Sequence, residues 1–263
     1  MQLRQFQVDA FTNRLFGGNP AAVVPLTEWL DDATLQAVAM ENQLSETAFF
    51  VAEGDGYRLR WFTPTREVDL CGHATLASAH VLYAHLDRDD PEVRFHTRSG
   101  VLTVRPDGRE LWMDFPAAPA ETATAPPALV SGLGSAPSAV LAADDWLAVF
   151  EDADGVRALA PDMAQLATLD RRGVIVTAPG DGDSDFVSRF FAPRYGIPED
   201  PVTGSAHCTL APYWAERLGR DTLRARQISA RGGEVACRVA DGRVRIGGRA
   251  VTFLDGRITL PDA

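Results

Sequence analysis

The sequence is short of cationic charge, of cysteine and of long apolar runs. Its 25 Lys and Arg face 36 Asp and Glu, a formal charge of −11. A protein that binds a phosphate backbone needs a basic face, so a nucleic-acid partner is not expected. No stretch approaches the roughly 18–20 consecutive apolar residues of a membrane helix, and no membrane role is expected either. The opening residues MQLRQFQVDAFTNRLFGG are broken by Arg and Asp too often for a signal peptide. The cysteines are Cys71, Cys208 and Cys237, an odd set with no C-x-x-C pair, which reads as reduced thiols in a cytoplasmic protein. The sequence has no G-x-x-x-x-G-K-[ST], no G-x-G-x-x-G after a strand, no H-E-x-x-H and no G-x-S-x-G. His80, His85, His96 and His207 are not spaced as ligands. No metal, nucleotide or flavin cofactor is therefore expected. What is present is an ordinary globular composition, 263 residues with 46% hydrophobic and 23% charged, which excludes disorder and a disulfide scaffold.

That length fits one large domain or two smaller ones, and the chain repeats itself. ETAFFVAEGDG is echoed by RGVIVTAPGDG, and WFTP (61–64) by FFAP (190–193). Gly72-His73-Ala74 is echoed by Gly204-Ser205-Ala206, and Arg98-Ser99-Gly100 by Arg231-Gly232-Gly233. Asp107-Gly108-Arg109 is echoed by Asp241-Gly242-Arg243. Five short matches in one order, each separated by about 130 residues, indicate a duplication. Between the halves, FPAAPAETATAPPALVSGLGSAPS (115–138) is rich in Pro, Ala, Ser and Gly and reads as a connection between domains. The expected division is residues 1–120 and 121–263.

Each half mixes two periodicities. Tyr57, Leu59 and Trp61 alternate with Arg58 and Arg60, as in a half-buried strand, and Leu111, Met113 and Phe115 alternate again. Pro106-Asp107-Gly108 and Ala240-Asp241-Gly242 read as hairpin turns. DDATLQAVAMENQ (31–43) predicts a helix capped by Asp31 or Asp32, burying Leu35 and Val38-Ala39. APDMAQLATLD (160–170) is its expected counterpart. HATLASAHVLYAHL (73–86) is apolar on nearly every side, so that helix is buried all round, which requires a sheet curled about it. The fold expected is α+β, with two pseudo-symmetric halves, each a curled, mostly antiparallel sheet around a central helix.

Both copies of the glycine motif place a turn directly before the central helix. Gly72 and Gly204 let the backbone approach a ligand closely, and the amides that follow open a helix N-terminus suited to an anion. A small carboxylate-bearing substrate fits that pattern; so does tight helix–strand packing. The copies differ in side chains. His73 of the first corresponds to Ser205 of the second, with Asp200 five residues earlier. Histidine carries protons near pH 7, and Asp and Ser bond polar groups; Asp200 also suits an Asx turn before Pro201. Glu46 lies between Leu44 and Phe49-Phe50, where partial desolvation raises a carboxylate toward the range useful for acid–base work. An exposed loop glutamate is the plainer alternative.

QVDAFTNRLFGGNPAAVV (7–24), NQLSETAFFV (42–51), FTPTREVDLCGHATLASAHVL (62–82) and EDPVTGSAHC (199–208) together resemble the PhzF (phenazine biosynthesis-like) family. The resemblance implies a diaminopimelate-epimerase-like fold and a cofactor-free, dimeric isomerase with its site between the halves. In that family a dihydro-3-hydroxyanthranilate is isomerised by moving a ring proton. The family's catalytic glutamate falls on Glu46. Its substrate-contacting histidine, aspartate and serine fall on His73, Asp200 and Ser205, and its loop glycines on Gly72 and Gly204. Cys71 matches one catalytic cysteine of related amino-acid epimerases, while Thr203 stands at the position of the second. The alternatives are racemisation or epimerisation of an amino acid through Cys71, and a non-catalytic protein that binds small acids.

Overall fold

The computed structural model describes residues 1–261. The chain forms two compact units, one made of Met1–Asp114 with the segment from Gly247 onward, the other of Phe115–Ile246.

The first unit runs β1 (Gln2–Ala10), β2 (Asn19–Leu26), α1 (Asp32–Asn42), β3 (Glu46–Glu53), β4 (Gly56–Phe62), β5 (Glu67–Val68), α2 (Gly72–His85), β6 (Val93–Thr97), β7 (Gly100–Asp107) and β8 (Glu110–Pro116). β1–β2 is antiparallel, β2–β3 parallel, β3–β4 antiparallel, β4–β6 parallel, and β6–β7 and β7–β8 antiparallel. The parallel steps need crossovers, and α1 and α2 provide them. α1 begins where expected: Asp31 caps it by accepting from the Thr34 amide at 3.0 Å. Its Leu35, Val38 and Ala39 pack with Val24, Phe49 and Phe62.

α2 is the core of this unit. Nine of its residues, from His73 through Ala79 with Val81 and Leu82, are buried. Leu76, Val81 and Leu82 are each at most 1% exposed, and burial of such side chains stabilises by about 1.5–3 kcal/mol apiece. Alanines at 74, 77 and 79 let strands approach the helix from several sides.

The second unit repeats the plan: β9 (Glu121–Thr122), α3 (Pro127–Leu133), β10 (Ala139–Ala142), β11 (Trp146–Val149), α4 (Ala153–Ala158), α5 (Met163–Leu166), β12 (Val174–Pro179), β13 (Phe186–Ala192), β14 (Ile197–Asp200), α6 (Gly204–Leu218), β15 (Thr222–Gln227), β16 (Gly233–Ala240) and β17 (Arg243–Gly248). β10–β11 is antiparallel, β11–β12 parallel, β12–β13 antiparallel, β13–β15 parallel and β15–β16 antiparallel. This is the same alternation as in the first unit, with α6 in the place of α2. The α+β fold read from the duplication is the fold observed.

Three details differ from expectation. The Pro/Ala-rich stretch 115–138 is not a plain connection. It contains β9 and α3, and Leu129 and Leu133 of α3 are buried in the core of the second unit. Pro127 opens that helix and Gly134, with φ +69°, closes it. The helix expected over 160–170 is only Met163–Leu166. The Asp162 side chain takes the Ala164 and Gln165 amides, and the Thr168 hydroxyl takes the Gln165 carbonyl, so side chains occupy groups a longer helix would use. Finally, the units are not separated by one cut at 120. The last strand, β18 (Ala250–Thr259), pairs antiparallel with β1 from Gln2↔Thr259 to Ala10↔Ala250 and so belongs to the first unit. The imidazoles of His80 and His85 on α2 both reach the Thr252 hydroxyl of β18, at 2.9 and 2.7 Å. Among the described residues no helix is long and apolar enough to cross a membrane.

Candidate active site

In the first unit three expected residues converge. β3 begins at Glu46 and α2 at Gly72, and Cys71 is the N-cap of α2 with extended backbone (φ −147°) and no side-chain cap bond. Nε2 of His73 lies 3.2 Å from Oε2 of Glu46, an ion-pair distance, though without hydrogen-bond alignment. On the other side of the ring, Nδ1 lies 3.5 Å from the Cys71 thiol. His73 is 5% exposed. Burial drives its pKa down from 6.5 to about 3, only partly opposed by a ring N–H directed at the Pro20 carbonyl. The ring is thus neutral at pH 7 and carries one proton, which leaves one ring nitrogen as an acceptor.

The donor atoms of Glu46, Cys71 and His73 lie within 4.8 Å of one another, close enough to be considered for a divalent ion. The imidazole, however, turns a different nitrogen to each neighbour. One imidazole nitrogen faces the carboxylate and the other the thiol, an arrangement that suits proton transfer.

The second unit builds its copy differently. Thr203 takes the place of Cys71 as the N-cap of α6, with its own side chain not used as a cap. Its hydroxyl donates to Oδ2 of Asp200 at 2.5 Å and accepts from the Gln227 amide at 3.2 Å. Gln227 also accepts from the Thr203 amide and donates to the Asp200 carbonyl, fixing the turn that carries both. His207, one turn into α6, directs Nδ1 to the Thr203 carbonyl at 2.8 Å, as Thr75 directs its hydroxyl to the Cys71 carbonyl at 2.6 Å. Burial lowers the His207 pKa to about 4. Ser205 is half-buried and accepts from the Arg172 guanidinium at 3.0 Å. Gly72 and Gly204 are the first helical residues, and neither needs a left-handed φ. What they contribute is the absence of a side chain at the start of each helix.

Sequence reasoning missed Arg172, Asp145 and Gln227. All three show their roles only through partners more than twenty residues away. Of the other thiols, burial pushes Cys208 up to about 12 and Cys237 higher still, so both are inert buried groups.

The sequence profile of the family described as phenazine biosynthesis-like protein matches residues 8–256. This chain belongs to that PhzC-PhzF family. A Pseudomonas aeruginosa protein named an uncharacterized isomerase is 55% identical over 260 residues, covering 99% of this chain and all of the relative. The crystal structure of a PhzF-family protein from Enterococcus faecalis is 46% identical and superposes with a TM-score of 0.97 over 99% of this chain and all of that one. A hydroxyproline epimerase from Agrobacterium vitis, 12% identical, shares the fold, with a TM-score of 0.63 over 99% of this chain and 93% of its own. The PhzF fold is therefore common ground between this chain and an epimerase of quite different sequence.

Proposed function

We propose that this protein is a cofactor-independent isomerase that moves a proton on a small cyclic amino-hydroxy carboxylic acid of the dihydro-3-hydroxyanthranilate kind. The observation that carries the reading is the Glu46–His73 pair, a carboxylate whose side chain is 12% exposed, 3.2 Å from a buried neutral imidazole. Glu46 removes a proton from one ring carbon and returns it to another. His73, uncharged across the physiological range, sits 3.2 Å from the carboxylate without neutralising it. A positioned general acid–base of this kind accelerates proton transfer by about 10²–10⁴. The amides after Gly72, at the start of the helix that carries His73, receive the substrate's anionic oxygens. The homodimer and the cytoplasmic setting expected from the resemblance belong to the same proposal.

The test is proton exchange. With a dihydro-3-hydroxyanthranilate in D2O, NMR of the parent protein should show deuterium entering the product ring. Glu46→Gln should stop it while the fold persists by circular dichroism. Undiminished exchange in Glu46→Gln would refute the shuttle.

A second reading uses the Cys71 thiol in amino-acid epimerisation, favoured by its contact with the His73 ring. A two-base epimerase needs a second acid on the opposite face of the reacting carbon. The equivalent residue, Thr203, has no thiol, and its hydroxyl is committed to Asp200 and Gln227. That weighs toward the one-base shuttle.

A further inference from the structure

Glu46 owes its place to a short link. α1 ends at Asn42 and β3 starts at Glu46, so the chain turns from helix to strand over residues 43–45. Gln43 makes the turn with φ +51°, a left-handed conformation sparsely used by residues other than glycine. The ladder from β3 to β2 begins at Ala21↔Glu46, but the ladder to β4 begins one residue later, at Thr47↔Phe62. Glu46 thus sits at the rim of the sheet, where a strand opens most readily.

One side chain spans the link. Nδ2 of Asn42 donates to the Thr47 hydroxyl at 3.1 Å, reaching from the last residue before the turn to the residue after Glu46. Asn42 is itself fixed from β1. Gln5 donates its Nε2 to Oδ1 of Asn42 at 2.9 Å, and its Oε1 accepts from Nδ2 at 3.3 Å. Thr47 is 1% exposed, so its bond to Asn42 is made in a low-dielectric setting that strengthens it. By comparison, the Ser45 hydroxyl reaches Asn19 only at 3.4 Å.

The two faces of β3 divide the work. Phe49 packs against α1, and Thr47, two residues earlier, shares its face. Glu46 takes the opposite face, toward His73 of α2. Asn42 therefore acts on Glu46 through the backbone of β3 and not by touching the carboxylate.

We propose that Asn42 is a positioning residue for Glu46: through Thr47 it fixes the first residues of β3 and so holds the carboxylate at its distance from His73. The kinetic consequence rests on the isomerase reading above; the geometric one does not.

The test uses the full chain. Thr47→Val keeps the shape and removes the hydroxyl, and Thr47→Ser keeps the hydroxyl. Asp31→Ala removes the cap of α1 and so weakens the same helix from its far end. With a dihydro-3-hydroxyanthranilate, Thr47→Val and Asn42→Ala should each lower kcat by about tenfold and leave KM within about twofold. Combined, they should cost little more than either alone, because both break one bond. Thr47→Ser and Asp31→Ala should keep kcat within about twofold of the parent. In proton–nitrogen NMR of the imidazoles, Thr47→Val should move the His73 resonances in the direction that Glu46→Gln moves them, while those of His207 stay in place. If Asn42→Ala does not fold because Gln5 loses its partner, Thr47→Val carries the comparison. Unmoved His73 resonances, a change confined to KM, or an equal loss of kcat in Asp31→Ala overturns the proposal. If the parent turns over none of the acid, the isomerase reading falls, and the His73 resonances alone decide whether Asn42 positions Glu46.

Discussion

A single imidazole, that of His73, joins a carboxylate to a thiol, with Nε2 at 3.2 Å from Glu46 and Nδ1 at 3.5 Å from Cys71. The two neighbours can be separated by experiment. Glu46→Asp shortens the acid by one methylene and withdraws its oxygens by about 1 Å. A displacement of that size should lower kcat by about 10² while KM changes little. Steady-state kinetics decide this; a change confined to KM would mean that Glu46 binds substrate and does not move the proton.

Cys71 contributes only a weak S–H donor at a long distance, so Cys71→Ala should keep activity within about threefold of the parent. Loss of all turnover in that variant, with an unchanged melting temperature, would transfer the chemistry to the thiol and favour epimerisation.

Buried histidines make stability depend on pH. His73 and His207 have folded-state pKa values near 3 and 4, depressed from 6.5 by burial. Above about pH 6.5 neither state binds the extra proton and the full stability is present. Between 6.5 and the folded value the unfolded chain binds more protons, so stability is lost as the pH falls. The slope approaches about 1.4 kcal/mol per pH unit for each histidine. Urea unfolding from pH 7 to 4.5 should show this fall, and His207→Gln should reduce the slope. An unchanged slope would place the acid sensitivity elsewhere.

Gly18, in the turn between β1 and β2, has φ +63°, and a β-carbon there would come 2.1 Å from the Ala10 carbonyl oxygen. Gly18→Ala should cost about 2–4 kcal/mol. Gly182 has a similar φ of +58° with open space around it, so Gly182→Ala should cost only about 1 kcal/mol. Equal losses at the two sites would show that backbone conformation, not the clash, governs the turn.

The architecture was readable where local patterns settled it. The all-round apolar surface of α2 implied burial on every side, and the repeated motifs implied two similar halves. Glu46 and His73 were readable as candidates because each lies at the start of an element within a distinctive motif. Other features were hidden because their cause is long-range. Nothing near Arg172 in sequence indicates that Asp145 anchors it or that Ser205 receives it. Leu129 and Leu133 were obscured by surrounding prolines and alanines, although their one-turn spacing is what seats α3 in the core. The division of the chain was misplaced because the pairing of β18 with β1 spans nearly its full length.

That pairing governs the order in which the molecule can be completed. Residues 115–246 are contiguous, whereas β1 waits for a partner strand that leaves the ribosome only after all of them. During synthesis the second unit can close while the first still presents β1 with β2 on one side and an open edge on the other. The most exposed moment for misassembly is therefore late. A circular permutant that joined residue 261 to residue 1 and opened between 246 and 247 would make both units contiguous and remove that wait.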